Sequence, residues 1–239
     1  MRFGGHVAVD RVSCAFRAGV TAIVGPNGAG KTTYFNLISG QLAASAGRVR
    51  LFGEDITRLS APQRTKRGIG RAFQLTNLFP RLSVLENVRL AVQARADMGK
   101  SLLSTWRSHV ELLEKAAFFL ERVALAGKRD TPAAALPHGD QRKLEVAILL
   151  ALEPEVFMFD EPTAGMSVDE VPTVLQLIED IRRKGDKTIL LVEHKMDVVR
   201  SLADRIIVLH QGELVADGAP AEVIASPVVQ EAYLGISRG

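Results

Sequence analysis

Apolar and polar positions along the chain follow two different periods. Val12, Cys14 and Phe16 are separated by Ser13 and Ala15, a period of two that predicts a half-buried strand over 12–16. Thr21-Ala22-Ile23-Val24 is a short apolar run that ends in Gly25-Pro26-Asn27-Gly28, so it reads as a buried strand entering a loop. Lys31 to Ser39 has helical character, and Gly40 follows where a left-handed residue closes a helix most easily. Arg48 to Phe52 predicts a further strand on Val49, Leu51 and Phe52.

The middle of the chain changes character. Ser83-Val84-Leu85-Glu86 is a capping box, in which hydroxyl and carboxylate satisfy orphan amides at a helix start, and helical patterning runs on to about Arg95. A second helix is predicted from about Ser104 to Leu125, on the stripe Leu112, Leu113, Ala116, Leu120 and Val123. Strand signals are sparse between about residues 80 and 150, which predicts a helical insertion. Strand and helix then alternate again. Val156 to Phe159 reads as a buried strand, and Val171, Val174, Leu175, Ile178 and Ile181 form a helix face closed by Gly185. Thr188 to Val192 and Arg205 to Leu209 are two more apolar strands. Such alternation implies an α/β fold with a mostly parallel sheet covered on both faces.

Composition narrows the classes. The 239 residues fit one domain with a subdomain, at roughly 150 residues per domain. With 47% apolar residues and a net charge of +3 the chain can bury a core and does not read as disordered. A single cysteine, Cys14, excludes an intramolecular disulfide framework and fits a reducing compartment. The longest apolar region, Val146 to Phe159, is broken by Glu153, Pro154 and Glu155, so no membrane span is predicted. Met1-Arg2-Phe3-Gly4-Gly5-His6 has no apolar segment of the signal-peptide kind, which predicts a cytosolic chain. Charge is uneven: residues 1–152 hold 22 Lys+Arg and 11 Asp+Glu, whereas residues 153–239 hold 8 and 16. A basic half suits phosphates or a membrane surface, and two solvated faces of opposite sign explain the numbers equally well.

The strongest chemical signal is Gly25-Pro26-Asn27-Gly28-Ala29-Gly30-Lys31-Thr32, a full G-x-x-x-x-G-K-[ST] match between a predicted strand and a predicted helix. Its glycines let successive amides converge on one anion at a helix N-terminus. Lys31 can reach the β- and γ-phosphates of ATP, the Thr32 hydroxyl can ligate Mg²⁺, and Thr33 can meet the α-phosphate. A glycine-rich turn without a ligand would not need this strand–loop–helix context. Asp160 and Glu161 supply a second marker. They follow four apolar residues at the C-terminal end of a predicted central strand, where ligands bind in such sheets. Asp160 suits the Mg²⁺ shell, and Glu161 suits the base that orients and deprotonates water. Together these predict an ATPase.

Four further elements resemble, in order, the ATP-binding cassette (ABC) family. Phe73-Gln74 is similar to its Q-loop, and Gly139-Asp140-Gln141-Arg142 lies in its signature region. Ala164-Gly165-Met166-Ser167 resembles its D-loop, and His194 its switch histidine. The resemblance covers nearly the whole chain. It implies a P-loop NTPase fold with a mostly parallel central sheet, an N-terminal antiparallel β subdomain and an inserted α-helical subdomain. The core would be 1–75 and 150–239, the helical part about 80–150. It also implies that Gln74 senses Mg²⁺ and water, and that His194 contacts the γ-phosphate. Pro137, His138, Gly139 and Asp140 would face the γ-phosphate of ATP on a second ATP-binding subunit, in a homodimer or heterodimer.

Arg71-Ala72-Phe73-Gln74 through Phe79-Pro80, Leu82 to Val88, Glu161 to Met166, Glu193 to Asp197 and the Ala219–Gly235 ending are similar to ATP-binding subunits of branched-chain amino acid importers. That likeness implies transmembrane permease subunits as partners and a periplasmic or extracellular solute-binding protein indirectly. It places the chain peripherally on the cytoplasmic side of the inner or plasma membrane. Lipopolysaccharide-export ATPases share much of the pattern and stand as an alternative. A nucleic-acid-linked ATPase of this family usually has long insertions or two cassettes, so no nucleic-acid partner is expected.

Three positions depart from the family pattern. Leu136-Pro137-His138-Gly139-Asp140 has proline where the family signature usually carries serine after the leucine. Proline lacks both the hydroxyl and an amide hydrogen, so two donors vanish although a helix can still begin there. This predicts weak or partner-dependent hydrolysis, with an ATP-binding switch lacking full activity as an alternative reading. Phe3 is the only candidate for the aromatic that stacks on adenine, and its position predicts a frayed setting. Ile148 stands where many relatives have arginine, and helix packing is its only physical account.

Overall fold

A computed structural model describes residues 1–72, 78–96 and 110–234. Strands β1 (Arg2–Phe3) and β2 (His6–Val7) form a short antiparallel hairpin. Strand β3 (Gly19–Val24) runs through the glycine loop into α1 (Lys31–Ser39), which ends at Gly40 with φ of 82°. A second small antiparallel pair, β4 (Arg50–Leu51) and β5 (Glu54–Asp55), precedes α2 (Ala61–Lys66) and β6 (Ile69–Ala72). Helices α3 (Val84–Arg95), α4 (Val110–Arg122) and α5 (His138–Ala151) follow. The chain then returns to alternation through β7 (Val156–Asp160), α6 (Val171–Arg183), β8 (Thr188–Val192), α7 (Met196–Leu202) and β9 (Arg205–His210). It closes with β10 (Glu213–Gly218), α8 (Pro220–Ala225) and α9 (Pro227–Leu234).

The large sheet has the order β10-β9-β3-β8-β7-β6. All its neighbours pair in parallel except β10, which returns antiparallel along the edge on β9. Its central strands are buried on both faces, the burial expected when helices cover both sides of a parallel sheet. Phe157, Phe159, Ile189 and Leu191 face one core with residues of α3, α4, α5 and α6. Met158, Leu190, Val192 and Ile23 face the other, with Tyr34 and Phe35 of α1. By that two-residue period Asp160 shares the face of Met158, toward α1.

Helix α3 begins as its sequence requires. Ser83 Oγ accepts from the Glu86 amide at 3.1 Å, and Glu86 Oε2 accepts from the Ser83 amide at 3.0 Å. Leu112, Ala116, Leu120 and Val123 are buried among α3 and α5, while Leu113 is only half buried. The expected start of that helix near Ser104 lies outside the described residues.

Residues 12–16 differ from expectation. They join no sheet among the described residues, although Val12, Cys14 and Phe16 are half buried against the α1-side core and Ser13 and Ala15 are exposed. The period of two reported burial correctly, but burial alone does not supply a strand partner. The strand expected over 48–52 is trimmed to Arg50–Leu51, because Phe52 (φ 50°) and Gly53 (φ 85°) turn the chain into β5.

Candidate functional site

Three adjacent strands bring the candidate residues together at their C-terminal ends. β8 pairs with both β3 and β7, so Val192 lies opposite Ile23 on one side and Asp160 on the other. The glycine loop leaves β3, Asp160 and Glu161 end β7, and His194 follows β8.

The loop's path depends on residues without Cβ atoms. Gly25 has φ of 151°, and a Cβ there would lie 2.1 Å from the Leu209 carbonyl oxygen. Gly30 has φ of 96° and would meet the Ala8 oxygen at 2.2 Å. Both contacts are with backbone, which cannot step aside. Lys31 opens α1 and is 6% exposed. Its ammonium donates to the Gly25 and Pro26 carbonyls at 2.7 and 2.8 Å, closing the loop on itself. Burial pushes the Lys31 ammonium below the usual lysine value, and the nearby Glu161 and Asp160 carboxylates oppose that shift.

Asn27, Gly28, Ala29, Gly30, Lys31, Thr32 and Thr33 line one cleft with Phe3, Ala8, Glu161 and His194, a space of about 360 Å³. Phe3 reaches it because β1 is held by β2 and by the Met1 carbonyl, which accepts from Ala8 at 3.0 Å. The expected frayed setting is therefore replaced by a hairpin, with the ring 47% exposed at the cleft. Glu161 has φ of 50°, sparsely populated for a residue with a side chain, and its amide donates to Val192 O at 2.9 Å. Its Oε1 lies 2.6 Å from Nε2 of His194.

Sequence reasoning missed the residues that brace this arrangement. Glu193, 3% exposed, accepts from the Thr163 hydroxyl at 2.5 Å with one oxygen. Its other oxygen accepts from the His194 and Lys195 amides at 2.7 and 3.3 Å. It thereby ties the turn after β7 to the turn after β8. Asp160, 3% exposed, accepts from Arg71 at 2.7 Å across 89 residues of sequence. No local pattern signals such pairs; only a buried carboxylate at a strand end and an arginine in a neighbouring apolar strand hint at them.

The 137–140 segment does not line the cleft. Pro137 is the N-cap of α5 with φ −58° and ψ 157°, so a helix does begin there, and Pro137 and His138 are exposed. Gly139 and Asp140 are buried. Asp140 accepts from Lys128 and from Lys143, the latter at 3.1 Å, and Lys143 also donates to Glu170 at 3.2 Å. Burial alone would raise the Asp140 carboxyl, but the two lysines outweigh it and hold the group below the usual aspartate value. Gln74 lies outside the described residues.

Thr32 Oγ1 and the Asp160 carboxylate are hard oxygen donors of the kind Mg²⁺ takes. Among the described residues there is no group of three or more His, Cys, Asp or Glu able to hold a metal by themselves. Two such oxygen donors fit an ion that a few protein oxygens would hold together with substrate phosphates.

A family model described as ABC transporter matches residues 9–164. The chain belongs to the ABC transporter family. As an ATP-binding cassette it is a nucleotide-binding ATPase. A second model, described as branched-chain amino acid ATP-binding cassette transporter, matches residues 213–237 of the cassette. The cassette is 39% identical to the high-affinity branched-chain amino acid transport ATP-binding protein LivG of Salmonella typhimurium, over 98% of this chain and 94% of that one. It is 38% identical to BraF of Pseudomonas aeruginosa, a protein of the same description. A nucleotide-free ATP-binding cassette from an ABC transporter superposes with a TM-score of 0.83 at 30% identity, covering 99% of this chain and 96% of that one. A dimeric cassette in a post-hydrolysis state, bound to ADP and Pi, gives a TM-score of 0.78 at 27% identity over 89% of this chain and 90% of that one.

Proposed function

We propose that this cassette hydrolyses ATP to drive import of branched-chain or closely related amino acids, working with a second ATP-binding subunit and with membrane permeases. The observation that carries the substrate class is the match over residues 213–237, a segment beyond the nucleotide cleft. It agrees with the nearly full-length similarity to LivG and BraF. The lipopolysaccharide-export and switch alternatives are not favoured beside those relatives.

In this reading the amides of residues 27–33 and the helix α1 N-terminus receive the ATP phosphates, and Phe3 meets the adenine from the hairpin side of the cleft. Lys31 exchanges its bonds to the Gly25 and Pro26 carbonyls for the β- and γ-phosphates. Thr32 and Asp160 would hold Mg²⁺, which would supply positive charge to offset that of the phosphates. Glu161 accepts a proton from the attacking water, whose oxygen bonds to γ-phosphorus as the bond to ADP breaks, releasing ADP and phosphate. His194, held by Glu193 against Glu161, donates to the γ-phosphate. By the family resemblance, Gln74 would act on the water and on Mg²⁺. Residues 137–140 face the nucleotide of the second subunit, so both cassettes complete each site.

No helix among the described residues is long and apolar enough to cross a membrane. The proposed place is the cytoplasmic face of the membrane, docked on permease subunits. Affinity purification from the native membrane is expected to recover permeases and a second ATP-binding subunit. Proteoliposomes of that complex are expected to accumulate labelled leucine only with ATP. Recovery of soluble partners alone would defeat the proposal.

A further inference from the structure

Arg71 belongs to β6, one strand out from β7, in register with Met158. Its side chain is 9% exposed and the Asp160 side chain 1%. The guanidinium uses its fork on two elements at once. Nη2 donates to Asp160 Oδ2 at 2.7 Å, while Nη1 donates to Asn36 Oδ1 at 2.6 Å and Ser39 Oγ at 3.1 Å. Its Cζ lies over the Phe35 ring, 5.1 Å from the centroid, and Nε is buried without a partner.

Thr32, Asn36 and Ser39 are four and then three residues apart on α1, so they share one helix face. Arg71 thus grips α1 one and two turns below Thr32 and grips β7 at Asp160. Those are the two elements whose oxygens face the metal in the reading above.

We propose that Arg71 is a positioning residue for the metal side of the hydrolysis site, clamping Asp160 to α1 so that the Asp160 and Thr32 oxygens are prearranged. The inference rests on the reading of Asp160 as the magnesium-side carboxylate. Arg71 takes Oδ2 and leaves the other carboxylate oxygen to the metal shell. A lysine at the same place would supply a point charge to Asp160 but could not bridge to Asn36 and Ser39 in the same planar geometry.

The test separates metal affinity from nucleotide affinity. Binding of a fluorescent ATP analogue to the full chain is measured in EDTA and then across a Mg²⁺ titration, for wild type, R71Q, R71K, N36A and D160N. The R71Q affinity in EDTA is expected to stay within about twofold of wild type. Its half-saturating Mg²⁺ is expected to rise about tenfold or more, as when partners that orient a metal ligand are removed. R71K and N36A, each keeping part of the clamp, are expected to rise about threefold, a fraction of that full effect.

An unchanged Mg²⁺ requirement in R71Q would overturn the proposal. So would a parallel loss of affinity in EDTA, which marks a merely structural arginine. Should R71Q fail to fold, R71K decides: a rise supports the clamp and no change refutes it. D160N separates the two levels. If D160N leaves the Mg²⁺ dependence unchanged, the reading of Asp160 falls; if D160N raises it and R71Q does not, only the Arg71 inference falls.

Discussion

Two helix N-termini in this chain are both read as meeting phosphate, and they are made differently. At α1 the backbone curls through Gly25 and Gly30 with positive φ, and Lys31 bridges the loop carbonyls from inside the same chain. At α5 the N-cap is Pro137, with no side-chain cap, and the exposed Pro137 and His138 face outward. Within the same first turn Gly139 and Asp140 are buried, and Asp140 is braced by Lys128 and by Lys143, which also pairs with Glu170. The first terminus shares a cleft with a carboxylate and a histidine of its own chain. The second is rigid at its base and open at its tip, as a surface that completes another molecule's site would be. Self-contained chemistry requires a loop that folds onto itself, while shared chemistry requires a firm base and unclaimed donors.

Removing Lys31 should break the comparison most strongly. K31A is expected to weaken ATP binding about 10- to 100-fold, the loss of hydrogen bonds to charged phosphate oxygens, with no matching loss from changes at α5. Titration calorimetry on both kinds of variant checks this.

Changing the α5 tip should instead alter turnover. P137S restores an amide hydrogen and a hydroxyl, and in the assembled complex it is expected to raise hydrolysis by up to about tenfold, roughly one hydrogen bond in the transition state. Binding to the isolated cassette should not change. No gain in turnover would count against the reading of this tip as a poor donor.

The braces at the base should act on stability. The depressed Asp140 carboxyl contributes stability that is present above its ordinary value of 3.8 and is lost as pH falls through the lower folded value. D140N is expected to lower stability near neutral pH by about 1–2 kcal/mol, the lower end for charged hydrogen bonds because Lys128 is half exposed. Below pH 3.8 the gap between variant and wild type should close, measured by denaturant unfolding across pH.

What could be read from the sequence follows the same division. The glycine loop, Asp160 and Glu161 are contiguous and their chemistry is local, so spacing and flanking apolar runs placed them at strand ends. The capping box at Ser83 and the buried run at Val156 were equally local. The clamps were not: Arg71 meets Asp160 across 89 positions and Thr163 meets Glu193 across 30. Hydrophobic period carries no information on which charged side chain will share a buried volume. The segment 12–16 makes the same point in reverse, because its alternation reported burial although it joins no sheet among the described residues.

The central claim is that Glu161 takes the proton from water in a site closed by two cassettes. Single-turnover hydrolysis by the assembled complex carrying E161Q, with retained nucleotide and subunit association followed in the same sample, tests it most directly. Hydrolysis is expected to fall about 100-fold or more, the usual contribution of a positioned base, while ATP stays bound and the subunits stay together. Hydrolysis at the wild-type rate would contradict the account.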